Sequence, residues 1–370
     1  MSEFSKLVRN CVQAIAPYVP GKPLEEVKRE LGITGAVKMA SNENPLGPSP
    51  EAKEAISRVL NQLAVYPDAN AFYLREALAR HLGVSQDQIL VGNGSDDVNK
   101  VLGETILNPG DEVIIPQPTF SQYEYVTLLM NARPVRVAGK IGLGNDLTAL
   151  RTAVTQRTKL VFICNPNNPT GTIVKKTELE AFLTSLPATV LVVIDEAYGE
   201  FADDPDYPNG IDFIKAGFQN IAVYRTFSKI YGMAGLRLGY CIANPALIRE
   251  MMKVKEPFNT SLVAQAAGVA ALQSQEHIQR SRELVLTEKQ RFYRELDRLG
   301  VEYLPTQANF ILINWGCDSK AIYQYLLQNG IIVRPTHSFG LPNHIRVTFG
   351  TPPQNERFFS VFRAGLQRLK

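Results

Sequence analysis

Several protein classes are excluded by what this sequence lacks. No apolar run approaches the ~18 residues of a membrane-crossing helix. The four cysteines, Cys11, Cys164, Cys241 and Cys317, are far apart and form no paired spacing, which argues against a disulfide framework and a zinc site. The four histidines, His81, His277, His337 and His344, show no metal-ligand spacing, so no metal is expected. Charge of one sign is missing too: the formal net charge is +3 with both signs interspersed. No basic block or basic-aromatic stripe invites nucleic acid, and neither nucleic acid nor membrane is expected as a partner. The opening residues, "MSEFSKLVRN", have no apolar signal core and carry an acid. With unpaired cysteines, this points to the cytoplasm.

What is present is ample apolar material, 45% of 370 residues, enough for two or three domains. Short runs rich in Val and Ile stand out: 88–91, 112–116, 160–164, 190–194 and 221–225. They are continuous rather than alternating, which is how strands buried on both faces read. Helical patterns lie between many of them. "SPEAKEAISRVLNQL" offers Ser49 as N-cap and Pro50 at the first helical position. "TELEAFLTSL" has Thr177 three before Glu180, a capping-box spacing. The alternation predicts an α/β fold, a mostly parallel sheet flanked by helices. A long helical pattern over 261–298, interrupted near Ser274, is followed by apolar segments at 308–315, 330–335 and 344–350 with a helix at 318–329. This predicts a smaller α+β unit, with the boundary near residue 270.

Four of the buried runs end in polar chemistry: "GNGSDD" (92–97), "NPNNPTG" (165–171), "DEAY" (195–198) and "TFSK" (226–229). Open α/β sheets bind ligands outside the carboxyl ends of their strands, so four such endings predict one convergent site. "GNGSDD" leads from strand to helix, where free N–H groups suit a phosphate. Its bland alternative is a tight turn with Ser95 as N-cap and Asp96 and Asp97 favouring the helix start. A dinucleotide fingerprint is ruled against because the third glycine of G-x-G-x-x-G is absent. Asp195 directly ends an apolar strand. A carboxylate there is costly without a cation or donors, and it suits a protonated ring nitrogen. Lys229 follows another buried strand, and a lysine in such a cleft can act as an amine nucleophile toward carbonyls. Thr226, Ser228 and Arg237 supply hydroxyls and a fork-shaped cation for a phosphate dianion. One ligand with an aldehyde, a phosphate and a basic ring nitrogen meets these demands, namely pyridoxal 5′-phosphate (PLP).

In this order, "NPNNPTG", "DEAY", "TFSK" and "GLRLGY" resemble the fold-type I PLP-dependent aminotransferases, over nearly the whole chain. "SNENPLGPSP" (41–50) and "VYPDAN" (65–70) look like the histidinol-phosphate aminotransferase branch. The resemblance implies a large PLP-binding domain at 41–270, a small C-terminal domain at 271–370, and an N-terminal arm, 1–40, that joins the small domain. It implies that Lys229 takes the cofactor aldehyde and shuttles a proton, and that Asp195 pairs with the ring nitrogen. Tyr198 and Asn168 would bond the ring oxygen, and Asn168 also lies beside substrate. Ser95, Asp96, Thr226, Ser228 and Arg237 would surround the phosphate, the first two through backbone N–H groups. Phe120 would stack on the ring, where many members carry tyrosine. Tyr66 would reach the neighbouring subunit's cofactor phosphate, making a homodimer with shared sites. Tyr18 would close over substrate, and Arg346, with Arg334 as second candidate, would hold its anionic group. Glu196 is read as stabilising the turn, Cys164 and Trp315 as packing, and Asn309 has no assigned role.

The implied activity is transfer of the amino group from histidinol phosphate to 2-oxoglutarate, giving imidazole-acetol phosphate and glutamate, a step of histidine biosynthesis. An aromatic amino-acid aminotransferase and a phosphothreonine-type decarboxylase share the same core motifs. From another class, a catalytically inactive PLP-binding regulator is opposed by the retained Lys229, Asp195 and substrate-type arginines. A nucleotide-binding oxidoreductase lacks its fingerprint.

Overall fold

The structure is a computed structural model that describes residues 3–18 and 21–369. The expected buried runs form strands β2 (Ile89–Gly92), β3 (Glu112–Gln117), β5 (Thr158–Cys164), β6 (Leu191–Asp195) and β7 (Ile221–Thr226), preceded in the chain by the short β1 (Val37–Lys38). Two further strands complete the large sheet, β4 (Arg133–Ala138) and β8 (Gly239–Ala243), in the order β2-β8-β7-β6-β5-β3-β4. β3 through β7 pair in parallel, and β8 runs antiparallel to both β7 and β2. Six strands therefore point one way and β8 points back. The inner strands are buried almost along their whole length, because helices cover both faces. β4 is an edge strand whose partly exposed residues include Arg133 and Arg136. Charge on an exposed edge discourages pairing with another chain.

The helix Pro50–Val59 starts as the sequence suggests, with the Ser49 hydroxyl accepting from the Ala52 N–H at 3.1 Å. Two other helix starts differ. In the helix Lys176–Ser185, Glu178 rather than Glu180 reaches back, accepting from the Lys175 N–H at 3.1 Å, so the start lies two residues earlier than the Thr177 spacing implies. In the helix Ser95–Ile106 the N-cap is Gly94 and Ser95 is the first helical residue, so Ser95 does not cap. The long helical pattern breaks at Ser274, between helices Leu262–Gln273 and Gln275–Arg298.

The C-terminal part holds β9 (Tyr303–Leu304), β10 (Phe310–Asn314), β11 (Ile331–Ile332), β12 (Arg334–Pro335) and β13 (His344–Thr348). Four of them form an antiparallel sheet, β12-β13-β10-β9. Phe358, Phe359 and Phe362 of the closing helix Pro352–Leu369 build its core, the first two against Phe292 of the long helix. β11 pairs in parallel with β1 in a separate two-stranded sheet, which ties the segment before residue 40 to the C-terminal part. Among the described residues no helix is long and apolar enough to cross a membrane, and no group of three or more His, Cys, Asp or Glu side chains could hold a metal ion. All four cysteines are free.

Candidate active site

Because β2, β5, β6 and β7 share a direction, their carboxyl ends lie along one edge of the sheet, and the four polar endings meet there. They face a cavity of about 390 Å³. Segment 40–43 and the arginines of β12 and β13 line it from the other side. Thirteen of the residues singled out in the sequence line this one cavity: Tyr18, Ser95, Asp96, Phe120, Asn168, Asp195, Tyr198, Thr226, Ser228, Lys229, Arg237, Arg334 and Arg346. Tyr66 does not line it. It is 77% exposed, with its ring stacked on Phe258 at 4.7 Å.

At one end stands the turn into the helix Ser95–Ile106. Gly94 adopts φ 84°, and no side chain caps the first turn. The positive φ favours glycine here, and a Cβ would sit 2.6 Å from the Arg237 guanidinium, which would have to shift. Gly239, the first residue of β8, is pressed against the same turn, where a Cβ would lie 2.5 Å from the Ser95 nitrogen. Arg237 lies 3.5 Å from Asp96, and Thr226 accepts from the Ser228 N–H at 3.0 Å. Helix N–H groups without a cap, two hydroxyls and a guanidinium thus share one corner, the composition of an anion site.

Asp195 sits at the floor, 4% exposed. Its Oδ2 accepts from the Tyr123 hydroxyl at 2.6 Å and its Oδ1 from the Ala197 N–H at 3.0 Å. Burial raises its pKa to about 6, opposed by these donors, and no cation among the described residues is paired with it. The carboxylate is built to meet a positive group that the fold itself does not supply. The Lys229 ammonium donates to the Ser41 carbonyl at 3.2 Å and stands 5.5 Å from the centre of the Tyr198 ring. Burial first, and then the Arg346 charge, lower its pKa to about 8.

The substrate-side cations are buried. Arg346 donates from Nη1 to Asn168 Oδ1 at 2.5 Å and from Nη2 to the Ala40 carbonyl at 2.7 Å, while its buried Nε has no partner. Burial lowers its pKa to about 10. The bond from Arg346 engages the oxygen of Asn168 and leaves the amide nitrogen for the pocket. Arg334 lies over the Tyr18 ring at 5.6 Å and reaches Ser338 at 3.5 Å.

Sequence reasoning assigned no role to Ser41, Asn42, Glu43, Phe339 or Tyr123. The first three belong to "SNENP", a run of polar residues before a helix, and that run was their one visible signal. Asn42 donates to the Tyr198 hydroxyl at 2.9 Å, and Asn309 in turn donates to the Asn42 carbonyl at 3.0 Å. Glu196 faces away from the cavity, where it accepts two bonds from Arg225 at 2.8 and 3.0 Å, consistent with a structural task.

The model of the family described as aminotransferase class I and II matches residues 34–362. A histidinol-phosphate aminotransferase of Moorella thermoacetica is 48% identical over 96% of this chain and 92% of its own length. One from Geobacillus sp. is 46% identical over 98% of each chain. Among solved structures, the histidinol-phosphate aminotransferase of Sinorhizobium meliloti in complex with pyridoxal-5′-phosphate superposes with a TM-score of 0.89, 28% identity and 98% coverage of both chains. With a match that spans both sheets and a cavity lined by the family-like motifs, this chain belongs to the aminotransferase class I and II family.

Proposed function

We propose that this chain is a PLP-dependent aminotransferase that takes the amino group of histidinol phosphate and passes it to 2-oxoglutarate. The observation that carries the reading is the cavity floor and rim together. A buried carboxylate without a cation, an amine with lowered pKa and an uncapped helix start meet two buried arginines. These residues fit PLP group by group. Bound there, PLP supplies an electrophilic aldehyde carbon and a ring that withdraws electrons from the substrate α-carbon.

The chain's own residues supply the rest. Lys229 would present its amine to the aldehyde and, as a free amine, would take and return the substrate's α-proton. Its lowered pKa makes the neutral amine accessible near neutral pH. Asp195, ionised opposite a cation, holds the proton on the ring nitrogen. Tyr198 and Asn168 would hydrogen-bond the ring oxygen, and Phe120 would stack on the ring. Ser95, Asp96, Thr226, Ser228 and Arg237 bind the phosphate. Arg346 and Arg334 hold the substrate's anion, with Tyr18 closing over it. In the second half-reaction the same arginines would hold the carboxylates of 2-oxoglutarate.

The chain divides in this reading into an arm (1–40), a large unit (41–270) and a small unit (271–370). In support, the large sheet draws only on residues 89–243 and the small antiparallel sheet on 303–348, and β1 pairs with β11. The enzyme works as a cytoplasmic homodimer with sites shared through Tyr66. Exposed Leu63, Val65, Tyr66 and Tyr73, together with cysteines that are all free, support that view.

The test is a donor comparison on PLP-loaded protein, following the loss of its visible absorbance in single turnovers. Histidinol phosphate should react faster than phenylalanine or tyrosine, because a phosphate ester can occupy two guanidinium groups where a carboxylate needs one. Arg346→Lys keeps the charge and loses the fork, and should lower the histidinol phosphate rate about 10- to 100-fold. A faster reaction with phenylalanine would assign the chain to the aromatic alternative. An unchanged rate in Arg346→Lys would shift the anion site to Arg334.

A further inference from the structure

We propose that Asn42 is a positioning residue that turns the hydroxyl proton of Tyr198 into the cavity, and that it anchors this proton to β13, the strand carrying Arg346. Asn42 is 1% exposed and adopts φ 55°, a left-handed conformation that asparagine tolerates. All four of its polar groups are engaged. Its N–H donates to Thr348 Oγ1 at 2.9 Å, and its carbonyl accepts from Asn309. Its Oδ1 accepts from the Thr348 hydroxyl at 3.1 Å, and its Nδ2 donates to the Tyr198 oxygen at 2.9 Å.

The orientation of the amide follows from counting protons. Thr348 is 4% exposed and its hydroxyl already accepts from the Asn42 N–H, so the single hydroxyl proton needs an acceptor. Oδ1 is the acceptor within reach. If the amide were turned over, Thr348 would face two donors and bury an unsatisfied proton. With Nδ2 toward Tyr198, the tyrosine oxygen is an acceptor on that side and keeps its own proton for the cavity that it lines. Thr348 and Arg346 are two residues apart on β13 and so share a face. Arg346 also bonds the Ala40 carbonyl, so residues 40–42 are stitched to β13 at both arginine and threonine. The strand that reads the substrate anion therefore also sets the two groups aimed at one corner of the cavity, Asn168 through Arg346 and Tyr198 through Asn42.

The inference rests on the PLP reading, in which Tyr198 donates to the cofactor's ring oxygen. Such a donor stabilises the anionic oxygen, and its loss raises the pH at which the bound chromophore titrates. The variant to use is Asn42→Asp. It keeps the shape, the left-handed conformation and the Thr348 contact, but offers Tyr198 an acceptor in place of a donor, drawing the phenolic proton out of the cavity. Lys229, Arg346, Asp195 and Cys164 also act on Tyr198 and are unchanged in this variant. The visible band of PLP-loaded protein should titrate about 1 to 2 pH units higher than wild type, as it should in Tyr198→Phe. The carboxylate introduced by Asn42→Asp adds a charge that could raise the midpoint by itself, so the same substitution is made in the Tyr198→Phe background. There it should add little, whereas a bare charge effect would persist in full. An unmoved midpoint in Asn42→Asp, or an equal shift in both backgrounds, overturns the proposal. Should Asn42→Asp fail to load, Thr348→Val releases the amide and is put through the same pair of titrations with the same criteria. A wild-type chain that takes up no PLP would instead overturn the cofactor reading on which all of this stands.

Discussion

Lys229 shows at the scale of one residue how a site is held against the interest of the fold. Its ammonium is kept in a cavity whose burial and Arg346 charge lower its pKa to about 8, whereas an unfolded chain would hold the same proton up to about 10.4. Below pH 8 both states are protonated, and the folded state carries the whole cost of the buried charge. Between about 8 and 10.4 the folded protein loses the proton first, the unfolded state binds more protons, and stability rises with pH. Lys229→Met should therefore stabilise the cofactor-free protein at pH 7 by on the order of 1–2 kcal/mol, discounted because the amine faces an open cavity. The gain should shrink as pH rises toward 10. Melting of cofactor-free wild type and variant across pH 6–10 measures it, and a gain that grew with pH would contradict the assignment. That Lys229 would lie in a cleft was legible from "TFSK" after a buried strand. That Asn42 bonds Tyr198 was not, because 156 residues separate them and the contact depends on a left-handed turn no pattern announces.

Elements were legible in proportion to their burial. β3, β5, β6 and β7 are apolar along nearly their whole length, so period-free Val and Ile runs revealed them within two residues. β4 was missed because an edge strand needs no apolar run and carries arginines instead. β8 was missed because its first residues belong to a motif read for its chemistry, "GLRLGY", and its glycine looks like a breaker. That glycine is where element and site meet. β8 runs against the direction of its neighbours, so its first residue lies beside the carboxyl ends of β7 and β2, pairing with Thr226 and Gly92. Gly239→Ala would set a methyl 2.5 Å from the Ser95 nitrogen and 2.7 Å from the Gly94 carbonyl carbon, both backbone atoms that cannot rotate aside. The helix Ser95–Ile106 must then move away from Arg237 and Thr226. Overpacking of this kind costs about 1–3 kcal/mol. PLP affinity should fall at least about tenfold if, as proposed, the displaced N–H groups hold the phosphate. Equilibrium titration with PLP and melting measure the two effects. Wild-type affinity in a destabilised Gly239→Ala protein would separate the helix start from the phosphate site.

At the scale of the molecule one expected residue stands apart from the cavity. Tyr66 was expected at a cofactor phosphate, yet it stands 77% exposed and outside its own chain's cavity. Its surroundings are unlike a solvated loop. Leu60, Leu63, Val65, Phe72 and Tyr73 are at least half exposed within the same stretch, and Phe258 stacks on Tyr66 itself. Scattered apolar residues on a surface need no explanation, whereas a gathered set of this size marks a surface meant to be covered. In the proposed homodimer a second copy would cover this surface and would also account for the tyrosine, since an isologous two-fold interface sets the same patch of both chains together. Complementation decides it. Tyr66→Phe chains keep Lys229 but lack the phenol, and Lys229→Ala chains keep the phenol but lack the amine. A mixed dimer has one site missing both and one site with both intact. With random exchange of equal amounts half the dimers are mixed, and half of their sites are complete, so activity should be about a quarter of wild type plus about a quarter of the Tyr66→Phe residual rate. The measurement needs separately tagged chains, exchange confirmed by co-purification, and the histidinol phosphate reaction as readout. If each site were built from one chain alone, mixed dimers would hold one Tyr66→Phe site and one Lys229→Ala site, and activity would be the plain average of the two parents. That average, seen with confirmed exchange and an impaired Tyr66→Phe parent, would confine Tyr66 to its own subunit and leave the apolar patch as a dimer contact without a share in the chemistry.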